Sequence, residues 1–153
     1  MQMKTHAIFL GLALLGTAGW AQAAPDCTIR LGSNDQMQFS QKTLTVSAAC
    51  ESITLKLTHT GKLPVAAMGH NVVISRTADA DAVARDGLKA GAVAGYLQAG
   101  DKRVLTATKM IGGGQTTSTT LAGTALKAGE DYSFFCSFPG HSMLMRGKLV
   151  VTP

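Results

Sequence analysis

Ile53, Leu55 and Leu57 alternate with Thr54, Lys56 and Thr58, a period of two that puts the apolar side chains on one face of an extended strand. Short segments that alternate or are rich in β-branched residues recur at 27–31, 44–46, 71–75, 104–107, 116–121, 132–136 and 148–152. Glycine-rich or polar turns separate them, among them Gly112-Gly113-Gly114 and Lys127-Ala-Gly-Glu130. Seven or eight such strands predict an all-β sandwich or barrel. The poverty of apolar residues in 116–121 predicts a strand near an edge. One segment breaks the pattern. Residues 77–88 are alanine-rich with early acids, and predict one short inserted helix with Thr77 as its cap, Asp79 and Asp81 at its positive start and Gly87 at its end. The stretch from there to Arg103 reads mostly as loop.

Residues 1–23 carry the three regions of a secretory signal peptide: Lys4, an apolar run over 7–16, and the small-residue site Ala21-Gln22-Ala23. The run of about ten residues is half the length a membrane-spanning helix needs. Ala-Pro-Asp before Cys27 is a poor lipoprotein cleavage site, which argues for a soluble exported protein without a membrane anchor. Cleavage would also remove Trp20, the only tryptophan. Residues 24–153 are then expected to form a single domain, monomeric and located in the periplasm. The chain is 46% hydrophobic and 15% charged, which excludes disorder. Its net charge of +5 is spread without a basic block, so nothing reads as a nucleic-acid arm.

In an oxidising compartment two of the three cysteines can be bridged. Cys27 and Cys50 lie close together at the start of the mature chain, and a disulfide between them would contribute about 3 kcal/mol. Cys136 is then free. It sits in Phe135-Cys-Ser-Phe-Pro-Gly-His-Ser-Met-Leu-Met145, where a thiol, an imidazole and two thioethers fall within one short turn. A second histidine precedes another strand in Met68-Gly69-His70-Asn71. Each residue alone has an ordinary reading: a solvated histidine, an inert buried thiol, core methionines. Together they offer two imidazoles, one thiolate and a weak thioether, a donor set that suits copper in both oxidation states. On chemistry alone Met143 and Met145 compete for the thioether role.

The motif Cys136-x4-His141-x3-Met145, with Met68-Gly69-His70-Asn71 ahead of it, resembles the azurin family of blue copper proteins. The resemblance spans essentially the whole mature chain, including Asn34-Asp-Gln-Met-Gln-Phe39, the early cysteine pair, Leu57-Thr-His-Thr-Gly-Lys-Leu-Pro64 and Tyr132-x-Phe-Phe-Cys136. It implies a Greek-key, cupredoxin-like fold and one type 1 copper. His70, Cys136 and His141 would be the strong ligands, Met145 the weak axial ligand and the Gly69 carbonyl the opposite axial contact. Asn71 would brace the ligand loop and hydrogen-bond near the thiolate. Met37, Leu63, Ala67, Met68, Phe138, Pro139, Met143 and Leu144 match the apolar collar through which His141 would meet solvent and redox partners. His59 resembles a histidine that titrates with copper oxidation state in some azurins, and reads equally well as a satisfied structural residue. Val72 stands where azurins commonly bury a tryptophan, Leu88 where a patch methionine is common, and Thr119 and Gly123 where the family has apolar strand residues.

Three functions compete. The resemblance implies an electron carrier cycling between Cu(I) and Cu(II), with c-type cytochromes and a copper nitrite reductase as partners. A copper storage or delivery protein would want an exposed, exchangeable site. An enzyme would keep an open metal position or carry a nucleophile–base pair or a phosphate loop. Gly112-Gly113-Gly114 lacks the lysine of a phosphate loop and precedes no expected helix, so it reads as a turn.

Overall fold

The computed structural model describes residues 25–153; the leader expected at 1–23 lies outside the described residues. Each alternating segment forms a strand. In chain order these are β1 (Thr28–Asn34), β2 (Gln38–Phe39), β3 (Thr43–Ser47), β4 (Ser52–His59), β5 (Val73–Arg76), β6 (Val104–Ala107), β7 (Thr116–Ala122), β8 (Tyr132–Phe135) and β9 (Arg146–Thr152). The strand without a forecast, β2, is two residues long and has no period to read. One sheet runs β2-β1-β4-β7 and the other β3-β9-β8-β5-β6. The polar β7 is an edge strand, as its composition predicts.

Parallel pairing of β1 with β4, and of β3 with β9, shows that the chain crosses between sheets rather than meandering. The alternation in β4 buries Ile53, Leu55 and Leu57 against Phe134 and Leu149 of the opposite sheet in one core. Val72, which the resemblance sets where a tryptophan is common, is fully buried in that core. Thr119 is polar for a reason the fold supplies. Its hydroxyl lies 3.0 Å from that of Thr106, which also donates to the Thr120 carbonyl, so the edges β6 and β7 of the two sheets are joined by hydrogen bonds. Gly123 is buried where a Cβ would stand 1.7 Å from the Cys50 carbonyl oxygen, too close for any other residue.

Strands β5 and β8 are buried on both faces, because an inserted helix covers their second side. Helix α2 (Ala80–Ala90) packs Ala80, Val83 and Ala84 on Val73 and Phe135. A four-residue helix, α1 (Val65–Met68), precedes β5. The expected helix signals are corrected in two places. Thr77 does not cap α2, since it opens a 3₁₀ turn over Thr77–Asp79 and its hydroxyl lies 3.0 Å from that of Ser133. Gly87 does not end α2, which runs three residues further to Gly91, whose φ of 73° stops it. Gly87 is glycine because the backbone carbonyl oxygen of Tyr96 comes within 2.0 Å of where a Cβ would be. The segment after α2 holds a further 3₁₀ turn, Ala92–Ala94, and Arg103 ties it back through ion pairs to Asp101 and Asp86.

Cys27 and Cys50 are bonded, and Cys136 is the free cysteine of the described residues. The metal-free chain, unfolded without reductant, is expected to titrate a single thiol; three would exclude the bridge. Gly87→Ala is expected to lower stability by about 1–3 kcal/mol, although alanine is the better helix former, because the new methyl group must push the Tyr96 carbonyl away. Chemical denaturation beside Lys89→Ala, an exposed neighbour on the same helix, checks this. An unchanged midpoint for Gly87→Ala would mean the close approach carries no constraint.

Candidate metal centre

Strands β5 and β8 pair antiparallel, with Val73 opposite Phe135. Continued past the strand ends, that register brings Asn71 opposite Ser137 and Val72 opposite Cys136. The side chains confirm the continuation: the Ser137 N–H donates to Asn71 Oδ1 at 2.9 Å and Asn71 Nδ2 donates to the Ser137 hydroxyl at 2.8 Å. The Ser137 hydroxyl in turn donates to the Gly95 carbonyl at 2.8 Å, which pins the segment after α2 to the loop. His70 is held from the other side by an antiparallel bridge to Ile111.

After Cys136 the chain turns back on itself. The Met145 N–H donates to the His141 carbonyl at 2.7 Å, and the Cys136 N–H donates to the Met145 carbonyl at 3.0 Å. These bonds return His141 and Met145 to the end of β8. Their effect is to gather His70, Cys136 and His141, whose donor atoms all lie within 4.8 Å of one another. Cys136 Sγ is 3.9 Å from His70 Nδ1 and 3.7 Å from His141 Nδ1. With metal–sulfur and metal–nitrogen bonds of about 2.3 and 2.0 Å, a planar site at 120° would separate these atoms by about 3.7 Å, and a tetrahedral one by about 3.5 Å. Both values are close to the observed separations, so the spacing fits one metal ion held among the three donors.

Cys136 and His70 are fully buried and His141 retains 3% of its surface. The Gly69 carbonyl oxygen lies 3.8 Å from Cys136 Sγ. A Cβ on Gly69 would meet the Val65 carbonyl at 2.6 Å and the Phe138 ring at 2.9 Å, so only glycine lets this carbonyl approach the site. Met145 is fully buried whereas Met143 is 77% exposed, so the two thioethers that compete on chemistry alone are separated by burial. Leu63, Ala67, Pro139, Met143 and Leu144 are exposed, and Met37, Met68 and Phe138 are half-buried. Cys27 and Cys50 lie beyond the other ends of β1 and β4, away from the site.

Three positioning groups have no signature in the sequence. The Asn34 carbonyl, 2.8 Å from His70 Nε2, fixes the proton on that nitrogen and leaves Nδ1 as a lone pair facing the thiol. Ser137 locks Asn71, and the Asp35 carboxylate accepts from the backbone N–H groups of Lys62 and Leu63 at 2.7 and 3.3 Å, which holds the loop leading to α1. A backbone carbonyl is supplied by any residue, and one serine or aspartate in a loop is too common to single out. His59 is fully buried; Gly61 N–H donates to its Nδ1 at 3.0 Å and its Nε2 lies 3.0 Å from the Met68 carbonyl, so both ring nitrogens are satisfied. Its ring stacks on His70 with centroids 4.4 Å apart.

Burial sets the protonation of the metal-free donors. It pushes the Cys136 thiol up to about 11, against the opposing effect of the Asn71 and Phe138 N–H groups. It pushes His141 down to about 4, helped by the His70 ring, and lowers His70 as well. Near neutrality the imidazoles are ready to donate lone pairs, and the thiol must release its proton to solvent when a cation binds. Stability of the metal-free protein should therefore fall at both extremes. Below the ordinary histidine value of 6.5 the unfolded chain takes up protons that His141 refuses until about 4, so stability drops across that window and levels off beneath it. Above the ordinary cysteine value of 9.0 the unfolded chain loses a proton that Cys136 keeps until about 11, so stability drops again as pH rises. Each loss is on the order of 2–3 kcal/mol. Urea midpoints against pH, with Cys136→Ser lacking the alkaline limb, check both signs.

Comparison with known proteins agrees with this geometry. Residues 25–152 match the model of a family described as copper binding proteins, plastocyanin/azurin family. The chain is 53% identical to an azurin of Alcaligenes faecalis over 123 residues, covering 80% of this chain and 96% of that protein. It is 49% identical to an azurin of Bordetella pertussis over 139 residues, covering 91% of this chain and 93% of the other. Among solved structures, an azurin (Az-iso2) from the obligate methylotroph Methylomonas sp. strain J superposes with a TM-score of 0.81 at 40% identity, over 84% of this chain and 99% of that one. The Greek-key cupredoxin fold, the copper cofactor and the donor cluster agree, and the chain belongs to the plastocyanin/azurin family of copper-binding proteins.

Proposed function

We propose that this chain is an exported blue-copper electron carrier, with residues 1–23 as a cleaved leader and 24–153 as a single domain working in the periplasm as a monomer. The observation that carries the reading is the donor triangle itself: three donors spaced for one metal ion, buried, and held by hydrogen bonds from separate elements. In the proposed assignment His70, Cys136 and His141 are the strong ligands of one type 1 copper. Met145 would supply the weak thioether donor and Gly69 a further carbonyl contact. When bound, copper supplies a one-electron couple between Cu(I) and Cu(II).

The protein's own residues do the rest. Asn34 and Ile111 hold His70, Asn71 and Ser137 hold the two ligand segments together, and the return of the chain at Met145 holds His141. A donor set that cannot relax keeps nearly one geometry in both oxidation states, and so keeps reorganisation small. The N–H groups of Asn71 and Phe138, which favour the ionised sulfur, would tune the potential. Burial leaves little room for a substrate molecule on the metal, which supports a carrier over an enzyme and over a delivery protein with an exchangeable site. His141, which keeps its small exposure inside the apolar collar, is the proposed exit for the electron. The collar suits small, short-lived contacts with redox proteins such as c-type cytochromes or a copper nitrite reductase.

Addition of one equivalent of Cu(II) to the mature protein is expected to produce an intense blue thiolate-to-copper band that Cys136→Ser lacks. Met145→Leu should keep the band and raise the reduction potential, because loss of the thioether removes a donor that helps the more highly charged ion. A pale wild-type solution would favour the storage or delivery reading. Loss of copper from Met145→Leu would place the axial ligand elsewhere.

A further inference from the structure

Carboxylates and cations are not mixed evenly over this molecule. At the disulfide end, away from the donor cluster, Asp26, Glu130 and Asp131 are neutralised by Arg30, Arg76 and Lys148. Around the apolar collar the balance reverses. Lys109 borders the cleft it shares with Val65 and Phe138, and Arg85 borders a second cleft with Leu88 and Met143. Lys42 lies beside Met37 and donates its ammonium to the Leu144 carbonyl at 2.9 Å. Lys62 precedes the exposed Leu63. All four cations are exposed, and none pairs with a carboxylate among the described residues.

Two acids lie near the collar. Asp81 is balanced by Arg146 at 2.6 Å, whereas the Asp35 carboxylate, held by the Lys62 and Leu63 N–H groups, keeps its charge and offsets one cation of the rim. Lys42, Lys62, Arg85 and Lys109 against the single charge of Asp35 leave a net positive rim around an apolar centre. Taking the collar as the docking face, and so resting on the carrier reading above, we infer that the partner surface is acidic: a redox protein that surrounds its own exposed cofactor edge with Asp and Glu side chains. The cationic rim draws that surface in and orients it. The apolar collar then makes the contact through which one electron passes, with no bond or proton exchanged.

One haem with two surface charges separates these effects. The reduced copper-loaded protein is mixed with a lysine-rich ferric cytochrome c and, separately, with the same cytochrome after succinylation of its lysines; in each case one electron converts ferric to ferrous haem. The succinylated form is expected to react faster at low salt. Its second-order rate constant should fall about tenfold as ionic strength rises from about 10 to 200 mM, where screening shortens from roughly 30 Å to under 10 Å. The lysine-rich form should show the opposite trend. The triple variant Lys62→Glu, Arg85→Glu, Lys109→Glu should lose the advantage of the succinylated form while keeping its absorption band. A charge-matched control at exposed positions off the collar, Arg30→Glu, Lys56→Glu, Lys127→Glu, should retain most of it. Equal loss in both variants, or equal salt-insensitive rates with both cytochromes, would overturn the rim. A protein with an intact band that exchanges electrons with neither cytochrome at any salt would overturn the carrier reading instead.

Discussion

The antiparallel register of β5 and β8, in which Val73 faces Phe135, supports the whole metal end of the molecule. Because the two strands end together, the residues just outside them, His70 with Asn71 and Cys136 with Ser137, emerge side by side and close on one another through the Asn71–Ser137 hydrogen bonds. Every other positioning contact builds on that pair. Asn34 reaches His70 only because β1 runs parallel to β4 and ends at the same edge of the sandwich. His141 arrives only because the loop after β8 must turn sharply to start β9. A slip of one residue would send Cys136 to the opposite face of its sheet and leave the imidazoles without a sulfur between them.

That register is protected on both sides. The main core packs against one face of β5 and β8, and helix α2 against the other. Burial on two faces, with the hydrogen bonds to His70 and Asn71, holds the donors in place, and it also displaces their protonation in the metal-free chain. The same exclusion of water that keeps the thiol neutral and the imidazoles uncharged makes a cation among them welcome, since ionised sulfur without a counter-charge would be costly in that environment.

Charge is organised on a longer scale than the site. A near balance of acids and bases at the disulfide end and a surplus of cations around the collar give the molecule a direction, so that an approaching partner meets a field as well as an apolar surface. The net charge of +5 understates this, because it averages the two ends.

By itself the sequence determined every strand but the two-residue β2, the edge position of β7, the inserted helix and the grouping of Cys136, His141 and a methionine, because alternation and short spacings act over a few residues and need no partner. It also exposed the free cysteine, by compartment and arithmetic. Only tertiary structure decided the details that depend on distant backbone. Gly87 looked like a helix end and is a passage for the Tyr96 carbonyl; Thr77 looked like a cap and bonds to Ser133 across the sheet. Thr119 and Gly123 departed from the family, and turned out to meet Thr106 and the Cys50 carbonyl. The orientation of His70 rests on the Asn34 carbonyl, a group present in every residue and so without a signal of its own. Local pattern records which side chains a segment presents; what each one meets is settled where the chain folds back on itself, through atoms that no residue type announces.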